Sequence, residues 1–154
     1  HVAANEMIEI KFEVDINPPA YASFEHKYRL LPVPYEVKIY DLPSLFAGKI
    51  HAVLCRGWKS RVKGRDLYDY VFYLSKGATV NRQHLQARLL QSNCVPEDFS
   101  CSSENLRALL NERFAQIDYK QAKRDVEPFI SSSSMLELWS ADFFNQITEG
   151  LRVC

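Results

Sequence analysis

A chain of 154 residues that is 47% hydrophobic and 25% charged is long enough to bury a core and too mixed in composition for a disordered or fibrous protein. Nineteen basic residues balance nineteen acidic ones, which removes bulk charge as a reason to bind nucleic acid; any basic surface must be local. No apolar run is long enough to span a bilayer, and Cys55, Cys94, Cys101 and Cys154 form no C-x-x-C and have no histidine at zinc-ligand spacing. They read as reduced thiols of a cytoplasmic protein, with Cys55 a small core residue.

The chain enters a strand pattern almost at its first residue, as expected of the C-terminal part of a longer protein. In "IEIKFEVDI", Ile8, Ile10, Phe12, Val14 and Ile16 alternate with Glu9, Lys11, Glu13 and Asp15. Strict alternation over nine residues predicts a half-buried strand. Its charged face is either a solvated surface or a platform on which Glu13 or Asp15 reaches a divalent metal. Glu9-x-Lys11 also has the form of half a metal-dependent nuclease site. Pro18 and Pro19 then stop any ladder, because proline has no amide hydrogen. "HKYRLLP" and "YEVKIYD" predict two shorter strands bounded by Pro32, Pro34 and Pro43.

From Asp41 onward the period is helical. Asp41 is placed to cap a helix from Pro43 to Arg56, whose apolar stripe is Leu42, Phe46, Ile50 and Val53. Lys49 borders that stripe and has Gly48 beside it. It either snorkels to water or projects along an apolar wall towards a phosphate. Arg56 follows two turns on, on the same face.

The linker "GWKSRVKG" concentrates Lys59, Arg61 and Lys63 beside Trp58, a pattern suited to a polyanion or to a solvated loop. A second helix, Arg65 to Lys76, stops at Gly77 and buries Leu67, Tyr70, Val71 and Leu74. On its flank lie Asp66, favoured in the first turn by the helix dipole, and Asp69, at ion-pair spacing from Arg65.

Further helices are predicted from Asn81, from Ser102 or Ser103, over "DYKQAKRDVEPFI" to about Glu127, and over "SSSSMLELWSADFFNQITEGLRV". The fold class is α+β: residues 1–41 bear strands and 42–154 a helical domain.

The ordered set "IKFEVDINPP", "VKIYDLPSLFAGKIHAVLCR" and "WKSRVKGRDLYDYVFYL", then "DVEPFI" and "LWSADFF", resembles the C-terminal half of the AbiEii/AbiGii-type nucleotidyltransferase toxins over nearly the whole chain. The resemblance implies the end of a polymerase-β-like nucleotidyltransferase sheet followed by an α-helical bundle. It implies transfer of a nucleotide from an NTP, with Mg²⁺, to an acceptor such as RNA or tRNA, in a toxin–antitoxin or phage-defence (abortive infection) pair with a cognate antitoxin. By resemblance, Glu13 matches the third acidic position and a metal ligand, with Asp15 as its fallback. Lys49 matches the phosphate-contacting lysine, and Asp66 the acidic residue of the arginine–aspartate motif, with Arg65 and Asp69 as neighbours. Arg56, Arg61 and Lys63 are further candidates for substrate binding.

The family's Gly-Ser motif and paired carboxylates have no counterpart in these residues. The fragment alone is therefore expected to be inactive. A helical module binding RNA or a partner, and a metal-dependent nuclease using Glu9 and Lys11, are the rival readings.

Overall fold

The computed structural model describes residues 9–57 and 62–154. Ile8, Trp58, Lys59 and Arg61, named above, lie outside them.

An antiparallel hairpin comes first, β1 (Phe24–Arg29) with β2 (Tyr35–Tyr40), in register from Phe24 opposite Tyr40 to Arg29 opposite Tyr35. The two prolines between them lie outside the paired residues, where a missing amide hydrogen breaks no ladder. Phe24 stacks on Tyr40 at 4.8 Å, a cross-strand pair that fixes this end of the hairpin.

Six helices follow. The first is α1 (Leu42–Cys55), where the Asp41 side chain accepts from the Ser44 amide and Pro43 sits in the first turn. Next is α2 (Gly64–Ser75), which ends before Gly77 at φ +64°, a left-handed conformation that glycine adopts without strain. α3 (Arg82–Gln91) is capped by Asn81, α4 (Ser103–Ala115) by Ser102, and α5 (Tyr119–Val126) by Asp118. These boundaries match the sequence reading to within one or two residues.

The predicted final helix is broken. Residues Ser133–Leu136 make one 3₁₀ turn, and α6 spans only Ala141–Thr148. Ser140 is the reason: it adopts an extended backbone and its hydroxyl accepts from the Phe143 amide, restarting the helix.

The predicted strand over residues 8–16 is also not formed in its described part. Residues 9–16 take no regular structure, and Ile10, Phe12, Val14 and Ile16 are 73–94% exposed. Alternation sets which side chains share a face, but a strand exists only with a hydrogen-bonding neighbour. Among the described residues none is supplied.

The core lies within the helices. Tyr70 of α2 is fully buried against Phe46, Phe114 and Phe144, and its hydroxyl meets Thr148 Oγ1 at 2.7 Å. Thr148 in turn donates to the Phe144 carbonyl, so the Tyr70 hydroxyl is the donor between the two. Gly64 lets α2 approach α5 closely: a β-carbon there would stand 2.0 Å from the Ala122 carbonyl oxygen. The chain's end is stitched to the α2–α3 link by a parallel bridge, Val80 with Val153.

The cysteines depart from expectation. Cys55 and Cys94 form a disulfide with their Cα atoms 5.6 Å apart, whereas Cys101 and Cys154 are free. The two positions come together only because α3 lies along α1, a proximity that sequence spacing does not reveal.

Candidate functional site

A cleft of about 270 Å³ opens where β2, α1, α2 and α3 converge, lined by Tyr40, Ser44, Lys49, Arg56, Asp66, His84 and Arg88. Each wall follows from local sequence. Lys49 projects from α1, and Arg56, seven residues on, is the extended residue that caps its C-terminus. Asp66 stands in the first turn of α2, where the partial positive charge of the helix end favours a carboxylate. His84 and Arg88 share a face of α3 at i, i+4 spacing.

Asp66 is 6% exposed and accepts two hydrogen bonds from one terminal nitrogen of Arg56, at 2.8 and 3.1 Å. Burial raises its pKa above the ordinary carboxylate value, and the charges of Arg56 and Lys49 oppose that rise. Lys49 Nζ lies 2.6 Å from Asp69 Oδ2. The pairing differs from that expected along α2: Asp69 takes Lys49 rather than Arg65. Arg65 instead points to α5, with its Nε 3.9 Å from Asp125 and its guanidinium 4.9 Å from the Phe129 ring. An i, i+4 contact on one helix is a weak attraction, easily displaced by a cross-helix partner.

Two histidines flank the cleft in the neutral state. The buried His84 ring uses Nδ1–H to donate to the Ala20 carbonyl, which leaves Nε2 without a hydrogen. Burial lowers its pKa. His51 Nε2 donates to the Ser92 hydroxyl, and Ser92 donates onward to the Arg88 carbonyl. Burial first, then the charges of Arg88 and Arg56, lower the His51 pKa to about 4. At the end of α1, Arg113 of α4 donates to the carbonyls of Val53 and Arg56 at 2.9 and 2.8 Å. It satisfies acceptors that a helix terminus leaves open, and it fixes where Arg56 begins.

Lys49, Arg56 and Asp66 are thus brought together, with Asp69 one contact away. Lys63 immediately precedes α2 and makes no side-chain cap. Glu13 and Asp15 lie on the irregular N-terminal segment. Glu13 is paired with Lys11, and Asp15 accepts from the Asn17 amide at 2.9 Å. Glu9 is exposed on the same segment, whose end is tied to α3 by Gln91 donating to the Asn17 carbonyl. Among the described residues, no group of three His, Cys, Asp or Glu side chains is placed to hold a metal ion. The Mg²⁺ expected from the resemblance finds no set of three such ligands among those residues.

His84 and Arg88 were not singled out from sequence. Their i, i+4 spacing is legible, but the face of α3 that meets α1 is set by packing.

No described helix is long and apolar enough to cross a membrane. A family model described as "Nucleotidyl transferase AbiEii toxin, Type IV TA system" matches residues 2–145. No curated protein and no solved structure gives a match.

Proposed function

The chain belongs to the AbiEii family of nucleotidyl transferase toxins of type IV toxin–antitoxin systems, and from that premise we propose that the Lys49–Arg56–Asp66 cleft binds the NTP whose nucleotide is passed to an acceptor RNA. The observation that carries the reading is the buried Asp66 carboxylate. It orients Arg56 at the cleft wall while Lys49, on α1, is steered by Asp69.

Phosphoryl chemistry asks little covalent work of a protein; positioning and charge do most of it. Lys49 and Arg56 supply donors for phosphate oxygens, Lys49 as a mobile point charge and Arg56 as a fixed one. Asp66 acts through Arg56 as a positioning residue. Glu13 and Asp15 remain the proposed acidic positions. Their segment ends against α3, and we propose that they reach their working geometry only beside further strands and carboxylates of a longer chain. Mg²⁺ would then supply charge neutralisation at the transferring phosphate. A cognate antitoxin and a cytoplasmic setting complete this reading.

The test is transfer of label from α-³²P-NTPs to total RNA by the full-length protein, with residues 1–154 run in parallel. The expected result is label in RNA with the full-length protein only, lost in Lys49→Ala and strongly reduced in Asp66→Asn. Loss of RNA without added NTP would overturn it in favour of the Glu9–Lys11 nuclease. Full labelling by Lys49→Ala would remove this cleft as the site.

A further inference from the structure

The two cations already assigned to the cleft are each matched by a carboxylate, Lys49 by Asp69 and Arg56 by Asp66. Arg88 is the third cation lining it, and among the described residues no carboxylate pairs with it. Its Nε is buried without a hydrogen-bond acceptor. A buried donor left open is costly, and native proteins rarely leave one unless something else fills the place. Three guanidinium or ammonium groups against two carboxylates also leave the cleft with an excess of positive charge.

We propose that Arg88 binds the polyphosphate chain of the incoming NTP, its guanidinium fork gripping phosphate oxygens across the cleft from Lys49; the proposal rests on the nucleotide-transfer reading of this site.

Three features of the fold suit the role. Arg88 comes from α3, a different helix from Lys49 and Asp66, so a bound chain of phosphates would be held from two sides. Its main-chain carbonyl accepts from the Ser92 hydroxyl, which His51 also meets, so the backbone that carries Arg88 is tied to α1. Its guanidinium carbon lies 3.9 Å from where a Gly48 β-carbon would be, so the glycine leaves bare backbone beneath it. The neutral state of His51 and His84 means that neither imidazole competes as a cation at neutral pH.

Phosphates of the NTP and of the acceptor RNA share this chemistry, and the experiment separates them. Steady-state transfer by the full-length protein is measured for wild type, Arg88→Lys and Arg88→Gln, varying NTP and RNA in turn. Binding of inorganic tripolyphosphate is measured by calorimetry on the same proteins, and thermal melts establish folding.

Loss of one bidentate guanidinium–phosphate contact should raise KM for NTP and weaken tripolyphosphate binding by roughly 10- to 100-fold in Arg88→Gln. Arg88→Lys should recover part of the loss, because it keeps charge without the fork. Should Arg88→Gln not fold, the lysine variant carries the same comparison. A rise confined to KM for RNA, or unchanged KM for NTP and tripolyphosphate affinity, overturns the proposal while leaving nucleotide transfer intact. Arg88-dependent tripolyphosphate binding in a wild-type protein that transfers no nucleotide sinks the transfer reading and keeps the phosphate site.

Discussion

Replacing Arg56 by alanine isolates what the buried Asp66 carboxylate requires. Asp66 is 6% exposed, and Arg56 donates two hydrogen bonds to its carboxylate, at 2.8 and 3.1 Å. In Arg56→Ala the carboxylate has two ways out: to stay charged and unpaired, or to take up a proton. Protonation at pH 7 of a group with an ordinary pKa near 3.8 costs ~4 kcal/mol, which caps the penalty. Arg56 itself is half-exposed, so solvent already screens part of the pairing, and the expected loss is ~1–2 kcal/mol.

Sign and pH dependence follow together. Without Arg56 the folded-state pKa of Asp66 rises further, and the folded form then holds a proton that the unfolded chain has released. Stability lost at pH 7 should therefore return as pH falls towards 5. Urea denaturation is the assay, because an uncharged denaturant does not screen the pair. Asp66→Asn should absorb most of the penalty, so that the double variant is more stable at pH 7 than Arg56→Ala alone. A cost below ~0.5 kcal/mol that is the same at pH 7 and pH 5 would refute the reasoning, since it would mean that Asp66 does not depend on Arg56.

Other expectations concern the frame around the cleft. Gly64→Ala should destabilise by ~3 kcal/mol or prevent folding, and Ala122→Gly should not rescue it, since the clash is with a backbone oxygen; an unchanged urea midpoint would contradict the close α2–α5 approach. His51 has a folded pKa lowered to about 4 from 6.5, so the unfolded chain binds its proton first as pH falls through that window. Allowing for its partial exposure, the wild type should lose ~1 kcal/mol between pH 6.5 and pH 4, and His51→Gln should show a flatter profile. The Cys55–Cys94 bond closes a 39-residue separation, and reduction should lower stability by up to ~4 kcal/mol. Native, unreduced protein should take one alkyl label, at exposed Cys154, because burial shields Cys101 and pushes its thiol up to about 11. Rapid labelling at Cys55 or Cys94 would show that bond absent.

The parts of the fold legible in sequence are those set by short-range chemistry. Asp41 and Ser102 cap the helices expected of them, the third helix starts at Asn81, and Gly77 follows the end of α2. Lys49 on α1, Arg56 at its C-cap and Asp66 in the first turn of α2 line one cleft, positions that the helix boundaries read from sequence already bring close. What sequence did not show depends on tertiary partners. The alternation around Phe12 marks a strand that has no neighbour among the described residues. Asp69 chooses Lys49 over Arg65 because a facing helix offers it, and Cys94 finds Cys55 across an interhelical contact. Arg88 sits in a run, "RQHLQARLLQ", whose pattern announces only a helix.

Arg113 has a consequence for how variation in this chain should be read. It lies on α4, lines no part of the cleft, and yet donates to the carbonyls of Val53, in the last turn of α1, and of Arg56, its C-cap. A map of inactivating substitutions would therefore not form a ring around the cleft. It would run as a line from α4 to the end of α1 and on to Asp66. Conservation confined to that line would look like structure to one observer and like function to another, and here the two are the same set of hydrogen bonds.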